Sequence, residues 1–180
     1  MHRDKCSNIS FSSGCFVVFV RSVFLTCGID ATDRAGAHTI GIAHCSSFAD
    51  RLYGYPGAGG NDTTDPSLDA TYAANLRRRK CRAASGGYAE DAVVEMDPGS
   101  HLTFDLGYYR ALLKHRGLLR SDAALLTDAA ARADVEGVVG GPEEVYFQVF
   151  ARSMARLATV QVKTGAEGEI RRNCAVVNGG

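Results

Sequence analysis

Residues 36–53, "GAHTIGIAHCSSFADRLY", place two histidines and a cysteine among small residues. His38 and His44 are six positions apart, and Cys45 follows His44 directly. Such side chains serve as metal ligands, as nucleophiles or bases, and as ordinary members of a packed core. What the rest of the chain offers these residues decides among the three.

A zinc site is disfavoured, because His38, His44 and Cys45 do not share one helix face at i, i+4 spacing. A nucleophilic mechanism is also disfavoured, since the sequence has no G-x-S-x-G and no cysteine in a protease context. A single histidine can hold haem iron if a carboxylate fixes its other ring nitrogen. A packed core histidine stays open as the alternative for His38.

Length and charge narrow the class of protein. The 180 residues fit one domain or one part of a larger one, and 46% hydrophobic with 22% charged residues is typical of a soluble globular protein. Twenty basic and twenty acidic residues cancel, so we expect no nucleic acid or anionic membrane as partner. The apolar run at 16–25 is too short to span a bilayer, and no A-x-A site follows it as in a signal peptide.

The cysteine pattern predicts disulfides in an oxidising compartment, because no C-x-x-C is present and the cysteines are scattered. The sequence alone does not fix their pairing. Glycosylation sequons at Asn8 and Asn61 agree with secretion. The cysteines are Cys6, Cys15, Cys27, Cys45, Cys81 and Cys174.

From residue 35 onward the pattern predicts a mainly α fold. Asp65 is expected to cap a helix that starts at Pro66 and ends in the cations of 77–80, which we expect to be solvated. A second helix before Gly117 would end on that glycine in a left-handed conformation. Ser121 is expected to cap the next helix.

The helix starting at Pro142 is the most periodic in the sequence, and its apolar stripe is expected to lie in the core. Strand signals are few, at 89–97 and 174–178, and 54–62 and 137–141 are predicted loops. The stripe comprises Val145, Val149, Phe150, Met154 and Leu157.

Three segments together resemble the secretory plant peroxidases, the class III haem peroxidases: 36–53, "FDLGYYRALLKHRGLLRSDAALLTD" at 104–128, and "GEIRRNCAVVNG" at 168–179. They occur in the order of that family. The resemblance implies the proximal half of a mainly α, haem-peroxidase-like helical fold over 35–180, with little or no β structure. Residues 1–34 form an atypical N-terminal segment without a clear family match.

By this resemblance His38 is the axial ligand of the iron of haem b, and Asp122 accepts the other ring proton of that histidine. A carboxylate behind the imidazole increases the donor strength of the iron-binding nitrogen. His44 has no expected ligand role.

The resemblance also implies a calcium site that links the residue after the haem ligand to the loop "DPGSHLTFD" at 97–105. Calcium selects hard oxygen donors, which this loop supplies. A simple capped turn is the alternative, because such residues are frequent in turns. The expected ligands are Thr39, Asp97, Ser100, Thr103 through its carbonyl, and Asp105.

Two cysteine roles follow from the same resemblance. Cys45 and Cys81 correspond to a disulfide of the family, and Cys174 corresponds to a cysteine whose partner lies in the family's N-terminal half. Extracellular localisation follows from the family as well.

The resemblance implies an oxidoreductase that oxidises phenolic donors with hydrogen peroxide and removes peroxide under oxidative stress. No segment matches the distal histidine and arginine of the family, so no catalytic residue is assigned and turnover by this chain is expected to be impaired. The alternative is a non-catalytic haem-binding chain or an unstable, truncated fragment. A half-domain would expose apolar surface and could self-associate. A disulfide-rich secreted module would explain the cysteines but not His38 with Asp122.

Overall fold

The computed structural model describes residues 31–56, 63–84, 87–88, 92–159, 162–170, 172–173 and 178. Helices dominate these residues, as the sequence predicted. Short 3-10 helices lie at Gly36–Thr39, Cys45–Ser47 and Gly165–Glu167. The α-helices are α1 (Ala31–Ala35), α2 (Ala49–Leu52), α3 (Ala70–Asn75), α4 (Gly107–Leu113), α5 (Arg120–Ala124), α6 (Ala129–Gly140) and α7 (Glu143–Leu157).

The β structure of the described residues is limited to two small antiparallel pairs. Strand β1 (Ile42–His44) pairs with β4 (Val93–Glu95), which confirms the predicted extended piece near residue 94. Strands β2 (Ala83–Ala84) and β3 (Gly87–Tyr88) form the second pair. The strand predicted at 174–178 falls largely outside the described residues. Pairing β1 with β4 brings the segment after His38 next to the acidic loop at 97–105.

Helix α3 begins four residues later than the sequence predicted. The carboxylate of Asp65 does not cap it, because that group accepts hydrogen bonds from Arg51 and from Ser67 and so closes a turn. Asp69 caps α3 instead by accepting the backbone N–H of Tyr72 at 2.8 Å. The helix continues as a π-helical segment at Leu76–Lys80, where Arg78, Arg79 and Lys80 are exposed.

The turn between α4 and α5 also differs from its prediction. His115, not Gly117, adopts the left-handed conformation, with φ of 56°. Gly117 is needed for a different reason: it lets Asp122 and Leu112 pack closely against the backbone. A Cβ at this position would lie 2.6 Å from Asp122 Cβ and 2.7 Å from Leu112 Cδ2. Ser121 does not cap α5, since Leu119 precedes the helix and donates its N–H to the Asp122 carboxylate.

Two hydrophobic clusters form the core of the described residues. The first surrounds the disulfide, and the second packs α4 against α6 and α7. His38 and Asp122 each lie in the chain between residues of the first cluster and residues of the second. The packing of the two clusters therefore fixes the distance between these two side chains. The first cluster includes Cys45, Phe48, Leu52, Leu76, Cys81 and Leu118. The second includes Tyr108, Tyr109, Leu112, Val135 and Tyr146.

The predictions for the last two helices need correction. Residues 137–140 belong to α6 and are not a loop. The apolar stripe of α7 is only partly buried: Val145 is 52% exposed, the other four stripe residues are half-buried, and Phe150 packs against the second cluster. The fully buried positions of α7 are Tyr146 and Ser153. Ser153 donates to Asp33 in α1, so α7 packs through a face that carries polar contacts.

No helix among the described residues is long and apolar enough to cross a membrane.

Candidate functional site

His38 lies on the 3-10 helix Gly36–Thr39, between the buried residues Gly36 and Thr39. The buried neighbours hold the backbone, while the His38 side chain keeps 36% of its surface exposed. A Cβ on Gly36 would lie 2.6 Å from the Tyr146 hydroxyl, so only glycine fits this close approach. The histidine is therefore anchored at its backbone and accessible at its ring.

The structure places Asp122 Oδ1 2.9 Å from His38 Nδ1, although 84 positions separate the two residues. Asp122 is buried, and its carboxylate also accepts the Tyr108 hydroxyl at 2.9 Å and the Leu119 N–H at 2.9 Å. Three donors converging on one carboxyl group fit its ionised form. Nδ1 of His38 then carries a hydrogen and donates a hydrogen bond to Asp122.

In the neutral imidazole, a hydrogen on Nδ1 leaves the lone pair on the second ring nitrogen, Nε2. No hydrogen bond reaches Nε2 from the part of the chain that the structure describes. A neutral imidazole fixed through Nδ1 and open at Nε2 is the form that binds a metal ion. The residues present thus fit an axial iron ligand.

Tyr108 lies beside this pair and is fully buried. Its ring meets the His38 ring edge-on, with 5.5 Å between centroids. Burial, together with the charge of Asp122, raises the pKa of Tyr108 well above its usual range. The phenol therefore keeps its proton and remains a donor to the carboxylate.

Arg51 supports the loop that leads to Asp122. Its fully buried guanidinium donates to the carbonyl oxygens of residues 117, 118 and 119 at 2.6, 2.8 and 3.0 Å. It also donates to Asp65 Oδ2 at 2.8 Å and to the Ser67 hydroxyl at 3.1 Å. Burial alone would raise the pKa of Asp65, but hydrogen bonds from Ser67 and Arg51 outweigh it and lower that pKa.

Sequence reasoning did not find Arg51 or Tyr108. The sequence offers one signal for Arg51: it lies two positions after Ala49 and directly before Leu52, and an arginine buried with such apolar residues must find partners for its charge. Its partners could not be read from the sequence, since the carbonyls it contacts are 66 to 68 positions away.

The acidic loop lies against the residue after His38. Thr39 is fully buried, and its hydroxyl donates to the Asp105 carbonyl at 2.9 Å and lies 3.4 Å from an oxygen of each of the Asp97 and Asp105 carboxylates. The Ser100 hydroxyl donates to Asp105 Oδ2 at 2.5 Å. Four of the five expected calcium ligands therefore share one contact network.

The fifth, Thr103, is exposed and contacts this network only through its backbone N–H, which donates to the Ser100 carbonyl at 2.8 Å. No group of three or more histidine, cysteine, aspartate or glutamate side chains converges on one point in the described ranges. A cation here would need the hydroxyl and carbonyl oxygens as well as the two carboxylates. Such a hard-oxygen set fits calcium.

The two carboxylates of this loop differ in their proton affinity. Burial, and next the charge of Asp105, raises the pKa of Asp97. Burial would also raise the pKa of Asp105, but hydrogen bonds from Ser100, the Gly107 N–H and Thr39 lower it. A Cβ on Gly107 would overlap the Asp97 carboxylate, so glycine is required where α4 begins.

A family model described as "Peroxidase" matches residues 19–140, which is more than half of the chain. The chain belongs to the peroxidase family. Peroxidase 39 of Arabidopsis thaliana is 47% identical over 97% of this chain and 52% of its own length. Peroxidase 3 of the same plant is 44% identical over 88% of this chain and 48% of its own length.

A rice relative gives the same picture. Peroxidase 1 of Oryza sativa subsp. japonica is 46% identical over 83% of this chain and 45% of its own length. These plant relatives support the class III plant peroxidases as the group within the family. The chain spans about half the length of the curated relatives it matches.

The peroxidase match starts at residue 19, so similarity reaches into the N-terminal segment 1–34, whose boundary with 35–180 stays a prediction. Cys45 and Cys81 form the disulfide that the resemblance implied, with 5.5 Å between their Cα atoms and 36 positions between them. Closing a loop of this length stabilises the fold by about 4 kcal/mol in the chain-entropy account. Cys174, Asn8 and Asn61 lie outside the described residues.

Proposed function

We propose that this peroxidase-family chain holds haem b by binding its iron through His38 Nε2. The observation that carries the proposal is the 2.9 Å contact between His38 Nδ1 and Asp122 Oδ1 across 84 positions. This contact fixes the orientation of the ring, sets its tautomer and leaves the lone pair of Nε2 available to bind iron. The His38 side chain is 36% exposed, which agrees with a ligand reaching the ring.

The protein's own contribution is to control the charge on the imidazole. Asp122 draws the Nδ1 proton toward itself and thereby makes Nε2 a stronger donor to iron. Leu119 and Tyr108 hold the carboxylate in place, and Arg51 holds the loop that carries Leu119. Haem b, when bound, supplies iron redox chemistry with hydrogen peroxide as the oxidant.

The activity we propose for the whole protein is oxidation of small phenolic donors by hydrogen peroxide, which would remove peroxide under oxidative stress. Membership of the peroxidase family supports it. A stable disulfide agrees with an extracellular location, which we propose as well.

Calcium is the second group we propose. Its ligands would be Thr39, Asp97, Ser100, the Thr103 carbonyl and Asp105. Two nearby carboxylates with hydroxyl donors give the charge and oxygen count that calcium prefers. Because Thr39 follows His38 directly, an ion there would stiffen the backbone that carries the haem ligand.

A second candidate function is haem binding without peroxide turnover. It is favoured by one sequence observation: His2 is the only histidine before His38, and nothing around it resembles the family's distal motif. A general base typically contributes ~10²–10⁴-fold to rate. Without one, this chain would oxidise guaiacol far more slowly than a full-length relative.

Haemin titration tests the proposal. The wild-type chain should give a Soret band that saturates with one haemin, and His38→Ala should lose it. His44→Ala is the matched control, because His44 is exposed on β1 and should leave the band unchanged. A band that survives His38→Ala would contradict the assignment, and guaiacol turnover equal to that of a full-length relative would exclude the second candidate.

A further inference from the structure

Tyr108 and His38 approach the same oxygen of Asp122. The Tyr108 hydroxyl lies 2.9 Å from Oδ1, and His38 Nδ1 lies 2.9 Å from that atom too. The other carboxylate oxygen, Oδ2, accepts the Leu119 N–H. The charge of Oδ1 is therefore divided between two donors, while Oδ2 keeps the group anchored.

The Asp122 carboxylate and the Tyr108 phenol lie where water does not compete. Asp122 and Tyr108 are each 1% exposed, and hydrogen bonds to a charged group are stronger in such surroundings. The phenol cannot turn to another acceptor easily, because its ring packs edge-on against His38 and Tyr109, with centroids 5.5 and 5.2 Å away.

We infer that Tyr108 is a positioning residue that limits how much of the Asp122 negative charge reaches His38. By holding part of the charge on Oδ1, the phenol weakens the pull of the carboxylate on the Nδ1 proton. Removing the hydroxyl leaves Asp122 held by Leu119 and frees Oδ1 for His38 alone. The imidazole then becomes a stronger donor at Nε2.

This inference deepens the proposed function and rests on the role of His38 in it. A purely structural role for the phenol makes a different prediction, because loss of any buried hydroxyl would then have the same effect. Tyr109 provides that comparison. It is also fully buried, and its hydroxyl donates at 2.7 Å to a backbone carbonyl, that of Thr32.

The first test uses the haem-free chain with ¹⁵N-labelled histidine. In Tyr108→Phe the proton on His38 Nδ1 should resonate further downfield than in wild type, since its acceptor has gained charge. In Tyr109→Phe it should not move. An unchanged resonance in Tyr108→Phe, or equal displacements in both variants, would overturn the inference.

The second test uses the haem-loaded chain and its reduction potential. A stronger imidazole donor favours ferric iron, so Tyr108→Phe should lower the potential and Tyr109→Phe should leave it in place. If wild type fails to bind haemin through His38, the proposed function fails, and the haem-free resonance still decides on Tyr108.

A third variant covers the case in which Tyr108→Phe does not fold. Placing 3-fluorotyrosine at position 108 keeps the shape and strengthens the phenol as a donor. The Nδ1 proton should then move upfield from its wild-type position. Movement downfield, or none, would contradict the division of charge on Oδ1.

Discussion

Arg51 is the largest fully buried side chain among the described residues, and its guanidinium must be neutralised and hydrogen-bonded there. Asp65 provides the charge and accepts from Nε, the carbonyls of residues 117–119 accept from Nη1, and the Ser67 hydroxyl accepts from Nη2. The pair therefore ties two distant turns together and determines where Leu119 presents its N–H to Asp122.

Arg51→Met should lower the free energy of unfolding by about 3–5 kcal/mol at pH 7, because Asp65 would stay buried without its partner. Arg120→Met is the control, since the Arg120–Asp50 pair is half exposed and should contribute within about 1 kcal/mol. Urea unfolding measures both. Equal losses in the two variants would contradict a structural role for the buried pair.

The same pair predicts the direction of acid sensitivity. Folding lowers the pKa of Asp65 below its value of 3.8, so the folded chain binds fewer protons than the unfolded chain in that range. This stabilisation is complete above pH 3.8 and is lost as pH falls through the folded pKa. A double variant Arg51→Met, Asp65→Leu should lose less free energy of unfolding than wild type when the pH falls from about 5 to about 3, a range of about one unit either side of 3.8.

At the level of residues, the pairing of His38 with Asp122 could be predicted because both lie in long motifs that resemble one family. Tyr108 could not be assigned this way. Its position on a helix gives the direction of the side chain only approximately, and the hydroxyl partner depends on how α4 packs against α5.

At the level of elements, the central feature is the loop 97–105 between β4 and α4. Two carboxylates, Asp97 and Asp105, lie near one another, and burial raises the pKa of Asp97. Without a cation the ionised Asp97 opposes folding, and this penalty grows as pH rises from 3.8 through the raised pKa. With a calcium ion bound, the ionised Asp97 would instead stabilise the folded state.

Asp97→Asn should therefore raise the melting temperature slightly in a chelator and lower it in excess calcium. Asp50→Asn is the control, because Asp50 is exposed and should respond equally in both buffers. Differential scanning calorimetry measures the six melting temperatures, those of wild type and the two variants in each buffer. A melting temperature of wild type that does not respond to chelator would contradict the calcium proposal.

The helices as a class could be predicted from periodicity, but their ends could not. Asp65 precedes a proline, as a helix cap often does, yet its carboxylate pairs with Arg51, 14 positions away. Asp69 caps the helix instead. The glycines at 137 and 140 favour a loop locally, yet α6 runs through both, capped at its start by Asp128. Tertiary contacts override local preference at each of these positions.

At the level of the whole molecule, several large apolar side chains are exposed on the described surface. Val145 and Phe147 on α7 are 52% and 36% exposed, and Ile40 and Ile42 near His38 are 47% and 53% exposed. The apolar stripe of α7 that was predicted to lie in the core is thus only partly buried. Exposed apolar surface of this kind favours association.

We propose self-association through α7, with sedimentation as its test. The weight-average mass of the wild-type chain should rise with concentration, and Val145→Lys should reduce that rise by placing a charge on the apolar face. Leu102→Lys is the control, because Leu102 is 81% exposed on the acidic loop and distant in sequence from α7. A wild-type chain that stays monomeric at all concentrations would contradict the proposal.

Resonance Raman spectroscopy of the ferrous, haem-loaded chain measures the bond between His38 and iron and its dependence on Asp122. An iron–histidine stretching band should shift on ¹⁵N-histidine labelling, disappear in His38→Ala and move to lower frequency in Asp122→Asn. A band that persists in His38→Ala, or keeps its frequency in Asp122→Asn, would contradict iron binding by His38 under the control of Asp122.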